Sequence, residues 1–352
     1  MKHPTPRLKR RSGLKSIAAA ALLALAGGAQ AVEMVVWYPG FPWGDNFVTA
    51  YLGLAQHWYT EEVDVDNVGV PHSNLQPRSA PLDASVRAVM GGAQFGIFPL
   101  FSRAATPAVI QSDLTLGSLH LVSNAGRKVE GKLAPLQISR ESGTLTLAGS
   151  GGTALVVGQV GGTVPDQSGV VHLDGVFLNS NGSALVHNGA SLWLREQAFW
   201  AHNGSLVVGA SAATDPTSLT NSHLNIVDSR LVPTIGGRLE LTVGSADVGF
   251  ASLSSQGSNT AYVEVHTLTL GGNLDNSRMD LSGAGASLRV WEALRIGRQG
   301  SAGLFVHDGA QLTAARGQVG TFAGASESQL TIHDGSAHFV STPGEYAWLN
   351  TG

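Results

Sequence analysis

The sequence predicts a mainly β protein whose larger part is a right-handed parallel β-helix, and three observations carry this prediction. A short apolar motif closed by glycine recurs along 113–352, with spacings of 27, 26 and 23 residues between its later copies. Runs of alternating apolar residues stand between Asn-Gly and Asp-Gly pairs, which favour tight turns. Glycine accounts for 45 of 352 residues, and only 13% are charged. Short strands repeating about every 25 residues are typical of a solenoid, whose stacked coils share one core.

Residues 1–31 have the pattern of a secretory signal peptide. Basic residues precede the apolar run 17–26, and Ala29 and Ala31 form a small-x-small cleavage site. We expect cleavage after Ala31 and export through the inner membrane, by either the general secretory (Sec) pathway or the twin-arginine pathway. Without the leader, 15 basic residues remain beside 25 acidic ones, a net charge of −10 that aids solubility and argues against an anionic partner, nucleic acid included. The absence of cysteine excludes disulfides and thiolate chemistry.

Residues 32–112 differ in composition from the rest of the mature chain, since they hold 11 of the 23 aromatic residues and 7 of the 14 prolines. A short apolar run predicts a strand over 34–38. Apolar residues at intervals of three and four predict helices over 47–59 and 82–90, and further strands are predicted over 63–68 and 93–98. This βαβαβ order predicts a small α/β segment with a parallel sheet.

The segment 34–110 resembles the N-terminal part of periplasmic solute-binding proteins of the nitrate, sulfonate and thiamine-precursor transporter type. The resemblance is carried by Trp-Tyr-Pro at 37–39, YLGLA at 51–55, YTEE at 59–62 and the run 86–98. It implies part of one ligand-binding lobe, with Trp37 and Tyr38 as candidate contacts to a small molecule. The rest of both lobes has no counterpart in the repeats, so a cap without a ligand is the other interpretation.

The domain 113–352 carries the repeat. The glycine-closed motif stands at 155–158, 206–209, 241–244, 268–271 and 294–297, with a shorter copy at 319–320. Between the copies, residues such as Leu304, Val306 and Leu312 alternate with small or polar ones, which predicts that one side of each strand faces a core. A sandwich of antiparallel hairpins would accept the same turns, but it does not explain a fixed repeat length. We therefore favour the parallel β-helix.

From about residue 145 to 352 the chain resembles the repeats of autotransporter (type V secretion) passenger domains. The resemblance is carried by DLSGAGASL at 280–288, ALRIG at 293–297, SAGLFVHDGAQL at 301–312 and SQLTIHDG at 328–335. It implies an exported, non-catalytic surface or adhesin-type protein, with an outer-membrane translocator as partner and a host surface or glycan as ligand. No barrel-like pattern comes after the repeats, so we expect a fragment without its translocator. Such a fragment is periplasmic if expressed alone, and displayed or secreted if a translocator is supplied.

Four histidines of the repeats are candidate site residues. Each begins a His-Asn-Gly or His-Asp-Gly sequence, at His187, His202, His307 and His333. A column of imidazoles along one edge would bind a metal ion or respond to pH. The alternative, which we favour, is that these sequences form turns with the histidine in solvent.

Other side chains point to binding rather than catalysis. The acidic residues of the repeats are scattered singly, so we expect neither the carboxylate pair of a glycan-cleaving enzyme nor a cofactor. Trp193, Trp200 and Trp291 are able to stack on sugars, although core or edge packing is the commoner role of tryptophan.

Overall fold

The computed structural model describes residues 33–37, 50–53, 58–60, 76–77, 82–90, 108–121, 128–129, 132–133, 135–149, 152–158, 169–209, 221–246, 248–271, 276–298, 300–320, 327–340 and 348–351. The chain divides into two compact units, Met1–Glu33 and Met34–Gly352, and every described residue except Glu33 belongs to the second. The predicted leader lies outside the described residues. Within them, no helix is long and apolar enough to cross a membrane.

The described chain is mainly β, as the sequence predicts. Its strands are β1 Glu33–Trp37, β2 Ala50–Tyr51, β3 Trp58–Thr60, β4 Gln76–Pro77, β5 Val86–Met90, β6 Ala108–Ile110, β7 Leu114–Leu116, β8 Ser118–Leu121, β9 Lys128–Val129, β10 Lys132–Leu133, β11 Leu136–Arg140, β12 Leu145–Leu147, β13 Thr153–Val157, β14 Val170–Asp174, β15 Phe177–Asn181, β16 Ser183–Val186, β17 Ser191–Arg195, β18 Phe199–Val208, β19 Ser222–Val227, β20 Arg230–Pro233, β21 Leu239–Val243, β22 Gly249–Ser254, β23 Ala261–Leu270, β24 Ser277–Ser282, β25 Ala286–Ile296, β26 Ala302–His307, β27 Gln311–Ala314, β28 Arg316–Val319, β29 Gln329–His333, β30 Ser336–Phe339 and β31 Trp348–Thr351.

Most strands belong to three parallel stacks. The first stack is a ten-stranded sheet in the order β2, β6, β11, β14, β17, β19, β22, β24, β26, β29. The second stack contains β7, β12, β15, β20, β27 and β30, and the third contains β5, β8, β13, β16, β21, β28 and β31. The long strands β18, β23 and β25 take part in both the second and the third stack, which therefore form one sheet.

The chain visits the three stacks in turn and then begins again. After β14, β15 and β16 it returns to the first stack with β17, whose Leu192 lies beside Val171 of β14. The same cycle brings β24 beside β22 and β26 beside β24, each in parallel register. Long parallel sheets with this order are compatible with the predicted β-helix.

One apolar core runs along the inner side of all three stacks. Side chains alternate between buried and less buried positions, as in β19, β21 and β22. Leu304, Val306 and Leu312, which the alternation predicts to face a core, are fully buried. Trp200 is among the largest fully buried side chains. Because each strand is covered by its neighbours on both sides, the apolar residues of successive repeats form a continuous interior.

The glycine-closed motif marks a single corner of the fold. Each copy ends a strand of the third stack, and its glycine stands next at position 158, 209, 244, 271, 297 or 320. All six glycines have positive φ values, between 61° and 117°. Residues with a Cβ rarely adopt this region, so glycine is what allows the chain to leave the third stack at the same place in each cycle.

The helices predicted before residue 112 are wrong for the described residues. Instead of a helix over 82–90, the structure has the strand β5, and β2 and β3 stand where the helix over 47–59 was predicted. Val86, Ala88 and Met90 are buried whereas Arg87 is exposed, an alternation of period two that the helical spacing obscured. The segments predicted as strands at 63–68 and 93–98 lie outside the described residues.

The two large sheets continue across residue 112. β5 pairs in parallel with β8, and β6 pairs in parallel with both β2 and β11. Near the start of the chain, β3 pairs antiparallel with β1 and with β4. The βαβαβ order that supported the resemblance to a solute-binding lobe is therefore absent from the described residues of this segment.

Candidate functional site

Three of the four repeat histidines precede tight corners. The residues after them, Asn188, Asp308 and Asp334, have φ values of 52°, 55° and 54°. Asparagine and aspartate tolerate this left-handed region better than other side chains, and so they suit these turns. His307 and His333 end successive strands of the first stack and lie beside each other in register.

His202 lies in a different environment. It is inside β18, its side chain points to the core, and it is fully buried. Its Nδ1 lies 2.7 Å from the Ser180 hydroxyl, which also accepts a hydrogen bond of 2.7 Å from the Trp200 indole nitrogen. The four histidines therefore do not form one column, because the register brings together only His307 and His333.

His187 is buried without a hydrogen-bond partner for either ring nitrogen among the described residues. Burial, together with the nearby His120, lowers the pKa of His187 to about 4. His120 is itself buried, with its Nε2 2.8 Å from the Gly158 carbonyl oxygen, and burial lowers its pKa as well. Both imidazoles are thus neutral at pH 7, and within the described ranges no three His, Asp or Glu residues form a group that could hold a metal ion.

The carboxylates of Asp174 and Glu264 are already bound by an arginine or by hydrogen-bond donors. Arg195 binds the buried Asp174 through two contacts of 2.8 Å. On the second stack, Glu264 accepts hydrogen bonds from the Tyr262 hydroxyl and the Trp291 indole, at 2.5 and 2.7 Å. This contact helps to raise the pKa of Tyr262 to about 12, although burial is the larger cause. These contacts suit structural roles for the carboxylates.

Several aromatic side chains lie on the outer side of the first stack. We call this surface the aromatic face and define it by six half-buried or exposed residues: His172, Trp193, His223, Phe250, Arg278 and Phe305. His223 and Phe250 stack with ring centroids 5.1 Å apart, and His172 meets Trp193 edge-on at 6.1 Å. The Arg278 guanidinium lies 4.0 Å from the centre of the Phe305 ring.

The aromatic face is ordered by strand register. Phe250 is flanked by His223 on one side and by Arg278 on the other. The six side chains occupy two adjacent outward rows on strands about 4.8 Å apart. His223, Phe250 and Arg278 are consecutive in one row; the other row runs from His172 and Trp193 to Phe305, through Asn225, Ser252 and Asp280. Of the three tryptophans considered from the sequence, Trp193 belongs to the aromatic face, Trp200 is a core residue, and Trp291 lies on another face with 36% of its surface exposed.

A second surface feature is an open groove of about 330 Å³ on the third stack, which we call the arginine groove. Its charged lining comes from separate repeats and consists of Arg238, Glu240, Glu292, Arg295, Arg298 and Arg316. The sequence alone does not predict this groove, because its residues are far apart in the chain and only the parallel register brings them together. The only hint of the groove in the sequence was that single arginines stand next to apolar residues of the repeats, which places their side chains on the outer face.

Two of the charged contacts in the groove join arginine to glutamate. Arg238 forms an ion pair with Glu292 and donates a hydrogen bond of 2.9 Å to Glu240. Arg238 holds the pKa of Glu292 below its usual range, and the positive charge of Arg316 contributes in the same direction. Within the described residues, the groove therefore contains four cations and two anions.

Few contacts are described for the candidate site residues nearer the N-terminus. Trp37 ends β1 and lies opposite Trp58 in the antiparallel pair of β1 and β3. Tyr38, Ala29 and Ala31 lie outside the described residues. No family model matches the chain, and neither a curated protein nor a solved structure is significantly similar to it.

Proposed function

We propose that residues 113–352 form a right-handed parallel β-helix and that the chain is an exported, non-catalytic protein of the autotransporter-passenger type. Support for the helix comes from the repeated passage through three parallel stacks around one core. A right-handed path is the form that connections between parallel strands almost always take. The sequence resemblance over 145–352 supports the same architecture.

The aromatic face is the observation that carries the adhesin-type function. Its rings are half-buried on the outer side of a rigid sheet, so they combine accessible apolar area with little conformational freedom to lose on binding. Two adjacent rows of such side chains, spread over several strands, present a long surface rather than a closed pocket. Such a surface suits attachment to an extended partner, and the chemistry of the described carboxylates gives no comparable support to catalysis.

Adhesion is tested with beads coated with the purified chain and placed on epithelial cells or immobilised glycans. We expect retention to fall at least tenfold in the double variant Trp193→Ser/Phe250→Ser. The matched control is Phe177→Ser/Trp291→Ser, which removes the same residue types from exposed positions on another face. Equal retention of the parent chain and the two double variants would show that the aromatic face is not the adhesive surface. Circular dichroism confirms that each variant is folded.

Export is the second part of the proposal. The leader would deliver the chain to the periplasm of a Gram-negative cell that expresses it alone, and surface display would use an outer-membrane translocator. Osmotic-shock fractionation followed by N-terminal sequencing tests this, with a mature chain beginning at Val32 in the shock fluid as the expected result. Full-length chain retained in the cytoplasm would contradict export. The alternative of a small-molecule module at 34–110 has no comparable support, because its described strands belong mostly to the same sheets.

A further inference from the structure

The arginine groove has more positive charge than its own glutamates neutralise. Arg238 and Glu292 are paired, and Glu240 also contacts Arg238. The side chains of Arg295 and Arg298 have no ion pair or hydrogen bond within the part of the chain that the structure describes. Unlike the mature sequence, which is acidic overall, this groove therefore offers unneutralised guanidinium groups to a ligand.

Strand register determines the shape of the groove. Across β21, β23, β25 and β28, one outward row is Glu240, Thr267, Ala293 and Arg316. The small side chain of Ala293 leaves a depression between the two longer ones on either side of it. Four strands at spacings of about 4.8 Å give the groove a length of about 14 Å, running across the strands.

The groove also offers threonine hydroxyls. Thr242 and Thr267 line it from half-buried positions on adjacent strands, whereas Thr269, in register with Thr242 and Arg295, is buried. A threonine hydroxyl donates and accepts hydrogen bonds, as sugar hydroxyls do, whereas arginine binds carboxylates and sulfates through two parallel donors. The described lining contains no aromatic side chain on which a nucleic-acid base would stack.

We propose that the arginine groove binds an acidic polysaccharide, with Arg295 and Arg298 holding a carboxylate or sulfate group and the half-buried Thr242 and Thr267 contacting sugar hydroxyls. The volume of the groove, about 330 Å³, is at the lower end of the range for ligand sites, and it fits a short stretch of a sugar chain. This inference deepens the proposed function, on which it rests, by naming a ligand class. It concerns a different surface from the aromatic face.

The test is isothermal titration of the purified full chain with three glycan probes and, as a further polyanion, single-stranded DNA. Oligogalacturonate carries carboxylates, dextran sulfate carries sulfates, and neutral dextran is the uncharged reference. We expect saturable binding of at least one acidic probe, with affinity that falls as salt is raised. The probe that binds more tightly identifies the anionic group. Binding of neutral dextran with equal affinity, or of single-stranded DNA as tightly as the acidic glycans, would overturn the proposal.

Matched variants locate the site. Arg295→Gln/Arg298→Gln should weaken binding of the acidic probe at least tenfold. Arg230→Gln/Arg289→Gln removes the same charge from exposed positions outside the groove and should change the affinity less than twofold. Equal losses in the two variants would show that only net charge matters and would refute the site. Absence of binding to the acidic probes in solution with bead retention on epithelial cells intact would refute this inference alone, whereas binding of an acidic probe without bead retention on epithelial cells would refute only the adhesin function.

Discussion

Asp174 and Arg195 form a two-pronged ion pair between adjacent strands of the first stack. The Arg195 Nε and Nη2 atoms donate to the two carboxylate oxygens at 2.8 Å, and Gln137 donates to one of them at 2.6 Å from the next strand. Only 1% of the Asp174 side chain is exposed. A buried carboxylate is tolerated when its oxygens are hydrogen-bonded, so this pair joins three successive strands of the stack.

Removal of the guanidinium should therefore destabilise the chain substantially. We expect Arg195→Gln to lower the free energy of unfolding by about 2–4 kcal/mol, because Asp174 would remain buried with its main partner lost. The matched control is Arg278→Gln, since Arg278 pairs with Asp280 in a far more exposed position, and its loss should cost less than about 1 kcal/mol. Urea unfolding followed by circular dichroism measures both. Equal effects would mean that burial of Asp174 does not determine the strength of the pair.

Gly204 is a second position at which a substitution should destabilise the chain, because its backbone lies close to that of the neighbouring repeat. Gly204 has a φ of 134°, and a Cβ placed on it would lie 2.0 Å from the carbonyl oxygen of Gly182, which stands between β15 and β16. We expect Gly204→Ala to destabilise the chain by about 2–5 kcal/mol, through backbone strain and the forced separation of the strands. Gly257 has a φ of 60°, and a Cβ added to it would meet no atom within 4 Å, so Gly257→Ala should cost only about 1 kcal/mol. Thermal unfolding of the two variants compares these costs.

His187 predicts how stability changes with pH. Its pKa is lowered to about 4 in the folded chain, chiefly by burial, so the unfolded chain binds a proton more readily between pH 6.5 and 4. Stability should therefore fall as the pH is lowered through this range, and His187 should account for about 2 kcal/mol by pH 5. Burial lowers the pKa of His202 and His223 in the same direction.

The variant His187→Leu isolates this contribution. It should be at least as stable as the parent chain at pH 7, because both ring nitrogens lack partners among the described residues, and it should lose less stability on acidification. His333→Leu is the control, since 73% of the His333 side chain is exposed. Urea midpoints at pH 7 and pH 5 provide the measurement. A parent chain and a His187→Leu variant with the same pH dependence would contradict the assignment.

The parts of the fold that the sequence predicts are those set by local pattern. Leu241, Val243 and Gly244 show why: an alternating pair of apolar side chains with a glycine directly after it defines both the buried face of β21 and the corner beyond. At 86–90 the pattern of apolar residues led to a wrong prediction. There, Val86, Val89 and Met90 also fit helical spacing, and pairing with β8 decides the outcome.

The candidate sites depend on register, which a single sequence does not specify. Glu240, Ala293 and Arg316 are far apart in the chain and share one outward row only because repeats of unequal length are stacked. At His202 the sequence predicts a turn that the structure does not have. It shares its His-Asn-Gly sequence with His187, yet it lies within a strand, because Asn203 continues β18 instead of beginning a turn.

The buried contact between Ser180, Trp200 and His202 gives the last prediction. An indole nitrogen can only donate, so the Ser180 oxygen accepts from Trp200. The Ser205 carbonyl oxygen, 3.3 Å from Nε2 of His202, can only accept, so the neutral imidazole carries its proton on Nε2 and its Nδ1 accepts the Ser180 hydroxyl proton. Ser180→Ala would leave two buried polar atoms without partners and should cost about 2–4 kcal/mol. Ser252→Ala, which removes a hydrogen bond to Asn225 at a half-buried outward position, should cost less than about 1 kcal/mol. Nitrogen chemical shifts of His202 report the tautomer directly, and a proton found on Nδ1 in the parent chain would reverse the assigned direction of these hydrogen bonds.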